Sequence, residues 1–171
     1  MRVLAAFDKF RGSMDAAAAV GAATGAALAL GHEAVSAPLS DGGEGFAEIL
    51  TRSCGGVFES VEVPAPHGEA VVARLGFARA GRLPAVLRSR FPELPEGGRI
   101  AVLDMASASG LALVPPHLRD PWRLSSAGTG RLLRLAAASG ARAIVLGIGG
   151  SGTVDLGLGA LEELGISFLD E

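Results

Sequence analysis

Four loops gather the residues that could do chemistry: Phe7-Asp8-Lys9-Phe10-Arg11-Gly12-Ser13, Ser40-Asp41-Gly42-Gly43-Glu44-Gly45, Ser125-Ser126-Ala127-Gly128-Thr129-Gly130 and Gly147 to Asp155. Each mixes glycine with serine or threonine ahead of a helical stretch, and such loops offer backbone N–H groups and a positive dipole end to an anion. Three of them also carry carboxylates, Asp8, Asp41, Glu44 and Asp155, which would repel a bare phosphate. A phosphate site built from them needs a cation between, which points to a nucleotide with Mg²⁺. The competing role is helix capping, open to both Asp41 and Asp155. Lys9 is the single lysine beside 14 arginines, a compact ammonium where every other cation is a planar fork, or else a surface residue. Arg11 offers that fork to a carboxylate or phosphate two residues on.

Other chemistries fit less well. The one lysine is followed by Phe10, so there is no Walker loop. Thr153 stands where a nucleophile elbow around Ser151 would need its second glycine. His32, His67 and His117 are scattered beside turns or prolines and read as surface residues. Gly147, Gly149 and Gly152 do satisfy G-x-G-x-x-G after an apolar run, with Asp170 beyond, so an NAD(P)-dependent oxidoreductase is the alternative reading. Against it stands Asp155, in the first turn of the helix that would receive the pyrophosphate.

The elements that must hold these loops alternate in type. Strands are predicted at Arg2 to Phe7 and Glu33 to Leu39, each leading into a loop and then a helix, Asp15 to Leu30 and Phe46 to Cys54. Val57 to Val63 and Ala70 to Phe77 suit a hairpin around Pro64 to Gly68. Further strands are expected at Arg99 to Leu103, Ala143 to Ile148 and Ile166 to Leu169, with helices at Arg131 to Ser139 and around Leu156 to Leu164. The fold class is α/β, with a mostly parallel or mixed sheet, flanking helices and a site at the carboxyl ends of strands. Residues 1–80 are expected as the first lobe and 99–171 as the second, with a hinge or linker at 81–98, where glycine and proline mix with charges.

Composition bounds the partners. The chain has 49% hydrophobic and 19% charged residues and a formal net charge of −3, a globular profile without a basic stripe for nucleic acid. Glycine, at 25 residues, is about twice its usual share. This enrichment predicts backbone positions of positive φ or close ligand approach. The lone Cys54 and the absence of a signal-like N-terminus predict a cytoplasmic protein, and Ala16 to Leu30, the most apolar stretch, reads as a core helix and not a membrane span.

Taken in order, the loops resemble the type I glycerate kinase family. Phe7 to Ser13 is similar to its Asp-Ser-Phe-Lys-Gly-Ser, Ser40 to Gly45 to its Ala-Asp-Gly-Gly-Glu-Gly, and Asp104-Met105-Ala106-Ser107-Ala108-Ser109-Gly110-Leu111 to its Glu-Met-Ala-x-Ala-Ser-Gly-Leu. Ser125 to Gly130 and Gly147 to Asp155 resemble Thr-Ser-Tyr-Gly-Thr-Gly and Gly-Ile-Gly-Gly-Ser-Ala-Thr-Asn-Asp. The resemblance implies a two-lobed enzyme, about twice this length, that uses ATP and Mg²⁺ to phosphorylate D-glycerate, with 2-phosphoglycerate the favoured product. This chain would then be its N-terminal half, or a catalytically incomplete fragment, with glycerate and ATP as its partners and room for a homo-oligomer. The expected catalytic residues are Asp8, Lys9, Arg11 and Asp41. Substrate or nucleotide binding falls to Ser13, Gly42, Gly43, Glu44, Ser126, Gly128, Thr129, Gly149, Gly150, Ser151 and Thr153, and metal binding to Asp41 and Asp155. The chain departs from the family at Lys9 for Ser, Arg11 for Lys, Ala127 for Tyr, Val154 for Asn and Leu156 for Gly. Val154 cannot replace an amide, so it is expected to turn into the core and leave Asp155 facing the cleft.

Overall fold

A computed structural model describes residues 1–169. Its first unit is β1 (Arg2–Ala5), α1 (Ala16–Ala29) and β2 (Glu33–Ser36), with the two strands parallel and Leu4 opposite Val35. Asp15 starts α1 by accepting the Ala18 N–H at 2.7 Å, the capping that its position before an alanine run predicts. The strands are shorter than expected. Even so, the Ala37 N–H donates to Ala5 O and the Leu39 N–H to Phe7 O, which keeps the two runs side by side as far as the loops that matter. Helix α1 covers one face of the pair, and the other face leaves Leu4 and Val35 exposed.

The second unit is a four-stranded mixed sheet in the order β3 (Val57–Pro64), β4 (Ala70–Arg79), β5 (Arg99–Asp104), β6 (Ala143–Gly147). The first two pairings are antiparallel and the last is parallel. Strand β5 is the centre of the core. Ala101 and Leu103 face α5 (Ala127–Ala138) with Leu75, Phe77 and Leu132, while Ile100 and Val102 face α2 (Phe46–Ser53) with Ala47 and Cys54. A strand covered on both faces must be apolar at nearly every position, and Ile100 to Leu103 is.

Two boundaries differ from expectation. Residues 81–98, which include the short α3 (Ala85–Arg88), join two neighbouring strands of one sheet, so no sheet break falls there; the break lies between β2 and β3. Helix α5 begins at Ala127, not Arg131, and takes Gly128, Thr129 and Gly130 into its first turn. The remaining helices are α4 (Ala106–Ser109) and α6 (Leu158–Glu163), and Ile166 to Leu169 forms no strand. Among the described residues no helix is long and apolar enough to cross a membrane.

Candidate functional site

The loops after β1, β2 and β6 meet at one corner. Asp8 uses one carboxylate oxygen on the Lys9 N–H and the other, at 3.1 Å, on the Asp41 N–H, which ties the first loop to the second. Asp41 is exposed, and its Oδ1 accepts the Gly43 N–H at 2.9 Å. The third loop joins when the Gly149 N–H donates to Gly42 O at 2.9 Å. Gly43 is the pivot: a Cβ placed on it would lie 2.9 Å from Asp41 Oδ1, 3.3 Å from Lys9 Nζ and 3.6 Å from the Gly149 carbonyl carbon. Lys9 Nζ also stands 3.8 Å from Glu44 Oε2, with Glu44 exposed and Lys9 half-buried. The corner therefore gathers three carboxylates and one ammonium, with Asp41 and Glu44 exposed, beside the exposed Gly150 and Ser151.

Arg11 and Ser13 are not part of it. They sit on an exposed turn, closed by the Ser13 and Met14 N–H groups on Phe10 O. With Phe7, Phe10, Met14 and alanines of α1 they line an open depression of roughly 520 Å³. Among the described residues no ion pair joins Arg11 to Asp8, Asp41 or Glu44.

Asp155 is engaged elsewhere. Its Oδ2 accepts the Ser126 N–H at 2.8 Å, the Ser126 O–H at 2.7 Å and the Gly159 N–H at 3.2 Å, and its Oδ1 accepts the Gly157 N–H at 3.2 Å. Burial alone would raise this carboxyl, but the hydrogen bonds from Ser126, Gly159 and Gly157 together outweigh it and hold the pKa below the ordinary carboxylate value. A carboxylate bonded in this way acts as a cap and a clamp. Ser126 and Thr129 are buried as well. The Thr129 O–H donates to Ser109 Oγ at 2.8 Å, and Gly128 is packed where a Cβ would strike Pro64 O. These three residues do not line an open cleft, because α5 starts early and draws them into the interior. Among the described residues no three His, Cys, Asp or Glu side chains converge on a metal position.

The dinucleotide reading fails on space. A Cβ on Gly147 would come to 2.5 Å from Gly42 O, on Gly149 to 2.8 Å from Gly43 N and on Gly152 to 2.8 Å from Leu111 N. The glycines admit neighbouring backbone, not a pyrophosphate, and Asp155 already occupies the N–H groups that start α6. Asp170 lies outside the described residues. Ser151 and Thr153 close a small exposed turn, Thr153 N–H to Ser151 Oγ at 3.2 Å. Val154 does not enter the core: it is 60% exposed, because β6 ends at Gly147 and the loop runs over the surface. Leu156 is 93% exposed and sits at φ 55°, a left-handed conformation that a glycine would adopt freely.

Two residues of the Asp104–Leu111 segment have a part that the sequence did not assign to them. Asp104 is buried at the end of β5, with Oδ2 on the Ala47 N–H at 3.1 Å and Oδ1 on the Ser107 N–H at 2.9 Å. Ser109, fully buried, receives Thr129 through its hydroxyl and Gly152 through its carbonyl. The signal for Asp104 was a carboxylate directly after the apolar run Ile100 to Leu103, a place where it must find internal donors.

Comparison with known proteins adds a family. The model of the glycerate kinase family matches residues 3–171. The chain is 40% identical over 136 residues to a glycerate kinase of Haemophilus influenzae, covering 80% of this chain and 32% of that protein. It is 39% identical over 136 residues to the glycerate 2-kinase of Escherichia coli K12, covering 80% and 31%. It is 34% identical over 172 residues to a glycerate kinase of Bacillus subtilis, covering 99% and 41%. A crystal structure of a candidate glycerate kinase 2 from Salmonella typhimurium LT2 superposes with a TM-score of 0.67 at 34% identity, over 96% of this chain and 41% of that one. The chain thus spans between 31% and 41% of the length of these relatives.

Proposed function

The chain belongs to the glycerate kinase family, and from that premise we propose that it carries part of the catalytic surface of an ATP-dependent enzyme phosphorylating D-glycerate, at the 2-hydroxyl. The observation that supports this most directly is the corner itself, where Lys9, Asp41 and Glu44 gather around Gly43 beside an exposed glycine loop. Phosphoryl transfer asks little covalent chemistry of a protein; it asks for positioning and for neutralised charge.

Asp41, whose Oδ2 accepts from no donor among the described residues, takes the proton of the attacking hydroxyl. Lys9 steadies the transferring phosphoryl. Gly150 and Ser151 offer exposed backbone to an anion, whereas the Gly149 N–H is already taken by Gly42. The donor set fits Mg²⁺, which commonly binds through one or two carboxylates plus phosphate oxygens; Glu44 is the exposed carboxylate left for it, and the ion would neutralise phosphate charge.

The test is calorimetric titration with Mg·ATP, D-glycerate and NAD in parallel, with ³¹P spectra of the product formed by the complete enzyme. Binding of Mg·ATP and a 2-phosphate signal support the reading; NAD binding without ATP binding overturns it. In that enzyme Asp41→Asn should lower kcat by about 10²-fold or more. The unfolding midpoint should stay put, because Asp41 holds only one N–H of its own loop.

A further inference from the structure

Helix α2 begins at the far end of the Asp41 loop, and its own cap position is Gly45, at φ 87° with no side-chain bond. A helix start of this kind leaves N–H groups that need acceptors. The acceptor comes from 57 residues away: Asp104 Oδ2 takes the Ala47 N–H, while Oδ1 takes the Ser107 N–H in the first turn of α4. Among the described residues Asp104 has no cationic partner, so two backbone donors are what hold this buried carboxylate. Its own strand position is fixed by pairing with Gly147 of β6, and the next residue, Met105, donates its N–H to Gly147 O. The chain from Met105 then returns to the glycine loop, where the Leu111 N–H donates to Gly150 O.

We propose that Asp104 is a positioning residue: the carboxylate that sets the Asp41–Gly45 loop at its distance from the Gly147–Ser151 loop by holding the start of α2 to the end of β5. It touches no substrate and acts through Asp41 and Gly43. The assignment rests on the kinase reading only for its catalytic consequence. Both carboxylate oxygens are needed, since Asn can accept through one oxygen alone and would turn its NH₂ toward an N–H. Glu keeps both oxygens, and it is the residue at this place in the motif that Asp104–Leu111 resembles.

The experiment is amide hydrogen exchange on the full chain and on Asp104→Asn and Asp104→Glu, with Mg·ATP and D-glycerate titrated calorimetrically on each. In Asp104→Asn the amides of residues 42–47 should exchange about tenfold faster and ligand affinity should fall on the order of tenfold, while α1 and the β3–β4 hairpin keep their rates. Asp104→Glu should bring exchange at 42–47 back to within about threefold of the parent. Unchanged exchange at 42–47 in Asp104→Asn overturns the proposal, as does acceleration of the whole sheet together or a failure of Glu to rescue. If Asp104→Asn does not fold, Asp104→Ser is read the same way, and failure of both to fold assigns the residue to core stability instead. If the parent binds neither ligand while exchange behaves as described, the kinase reading fails and the positioning role stands. Ligand binding by the parent with flat exchange in Asp104→Asn overturns the positioning role and leaves the kinase reading in place.

Discussion

Asp41 and Asp155 occupy matching places, each in a glycine-rich loop that runs into a helix, yet the structure uses them in opposite ways. Asp155 collects four donors from Ser126, Gly157 and Gly159. Asp41 collects one. The difference lies in who caps the helix that follows. Among the described residues the start of helix α6 is served by Asp155 and by the Ser126 hydroxyl, which takes the Ala160 N–H, so its loop carboxylate is bound to the backbone. The start of α2 is served by Asp104 from another strand, and that releases Asp41 to face solvent. A loop carboxylate becomes available for chemistry when some other residue takes over its structural work.

This contrast can be broken at several points. The largest effect is expected from Gly147→Ala, whose Cβ would meet Gly42 O and the Phe46 ring at 2.5 and 2.6 Å and wedge the corner apart; a loss of about 3 kcal/mol is expected in denaturant unfolding. Next comes Asp155→Ala, which strands the buried Ser126 N–H and O–H and should lower stability by about 2 kcal/mol, against no more than about 0.5 kcal/mol for Asp41→Ala. Equal losses from the two would erase the distinction.

Acid titration sharpens the same comparison. The folded-state pKa of Asp155 is depressed, so its contribution is present above the unfolded carboxylate pKa of about 3.9 and is lost as pH falls through the lower folded value. The parent should lose stability in this region more steeply than Asp155→Asn, as followed by unfolding midpoints between neutral pH and pH 3.

Leu156→Gly should stabilise by about 0.5 to 1 kcal/mol, since it removes a left-handed leucine at the modest entropy cost of glycine. Smallest of all is Val154→Asn, expected to move the melting midpoint by no more than the equivalent of about 0.5 kcal/mol, because the side chain is exposed. A larger drop would mean that Val154 packs against something after all.

How legible these regions were in the sequence follows from the forces behind each. The strand and helix runs, the hairpin and the mixed sheet followed from apolar runs stopped by Gly31, Gly55 and Pro64 to Gly68, because burial and chain breaks are written locally. That Asp8 and Asp41 stand in the loops after β1 and β2 was equally readable. That Asp155 could cap its own helix was readable as well; that Ser126 supplies two of its four donors was not, since Ser126 lies on a different loop and nothing in either segment says that they meet. The glycine excess predicts positive φ or close ligand approach; positive φ is found at Gly12, Gly31, Gly42 and Gly45 among others, while at Gly147, Gly149, Gly152 and Gly128 the close approach is by another stretch of main chain. Ile166 to Leu169 has the apolar content of a strand but no partner strand beside it among the described residues, and a strand needs a neighbour more than it needs a propensity.

The glycine contacts of the corner also bear on the order in which this chain takes shape. The β3–β4 hairpin closes over a few residues, whereas Ala47 reaches Asp104 across 57, and Gly42 meets Gly149 from near the opposite end of the sequence. Closing such long loops has an entropic penalty that is offset only once the intervening sheet exists. The corner is then the last part to assemble and the first to open, so a nascent or heat-stressed chain would keep its central sheet while its charged loops have already come apart.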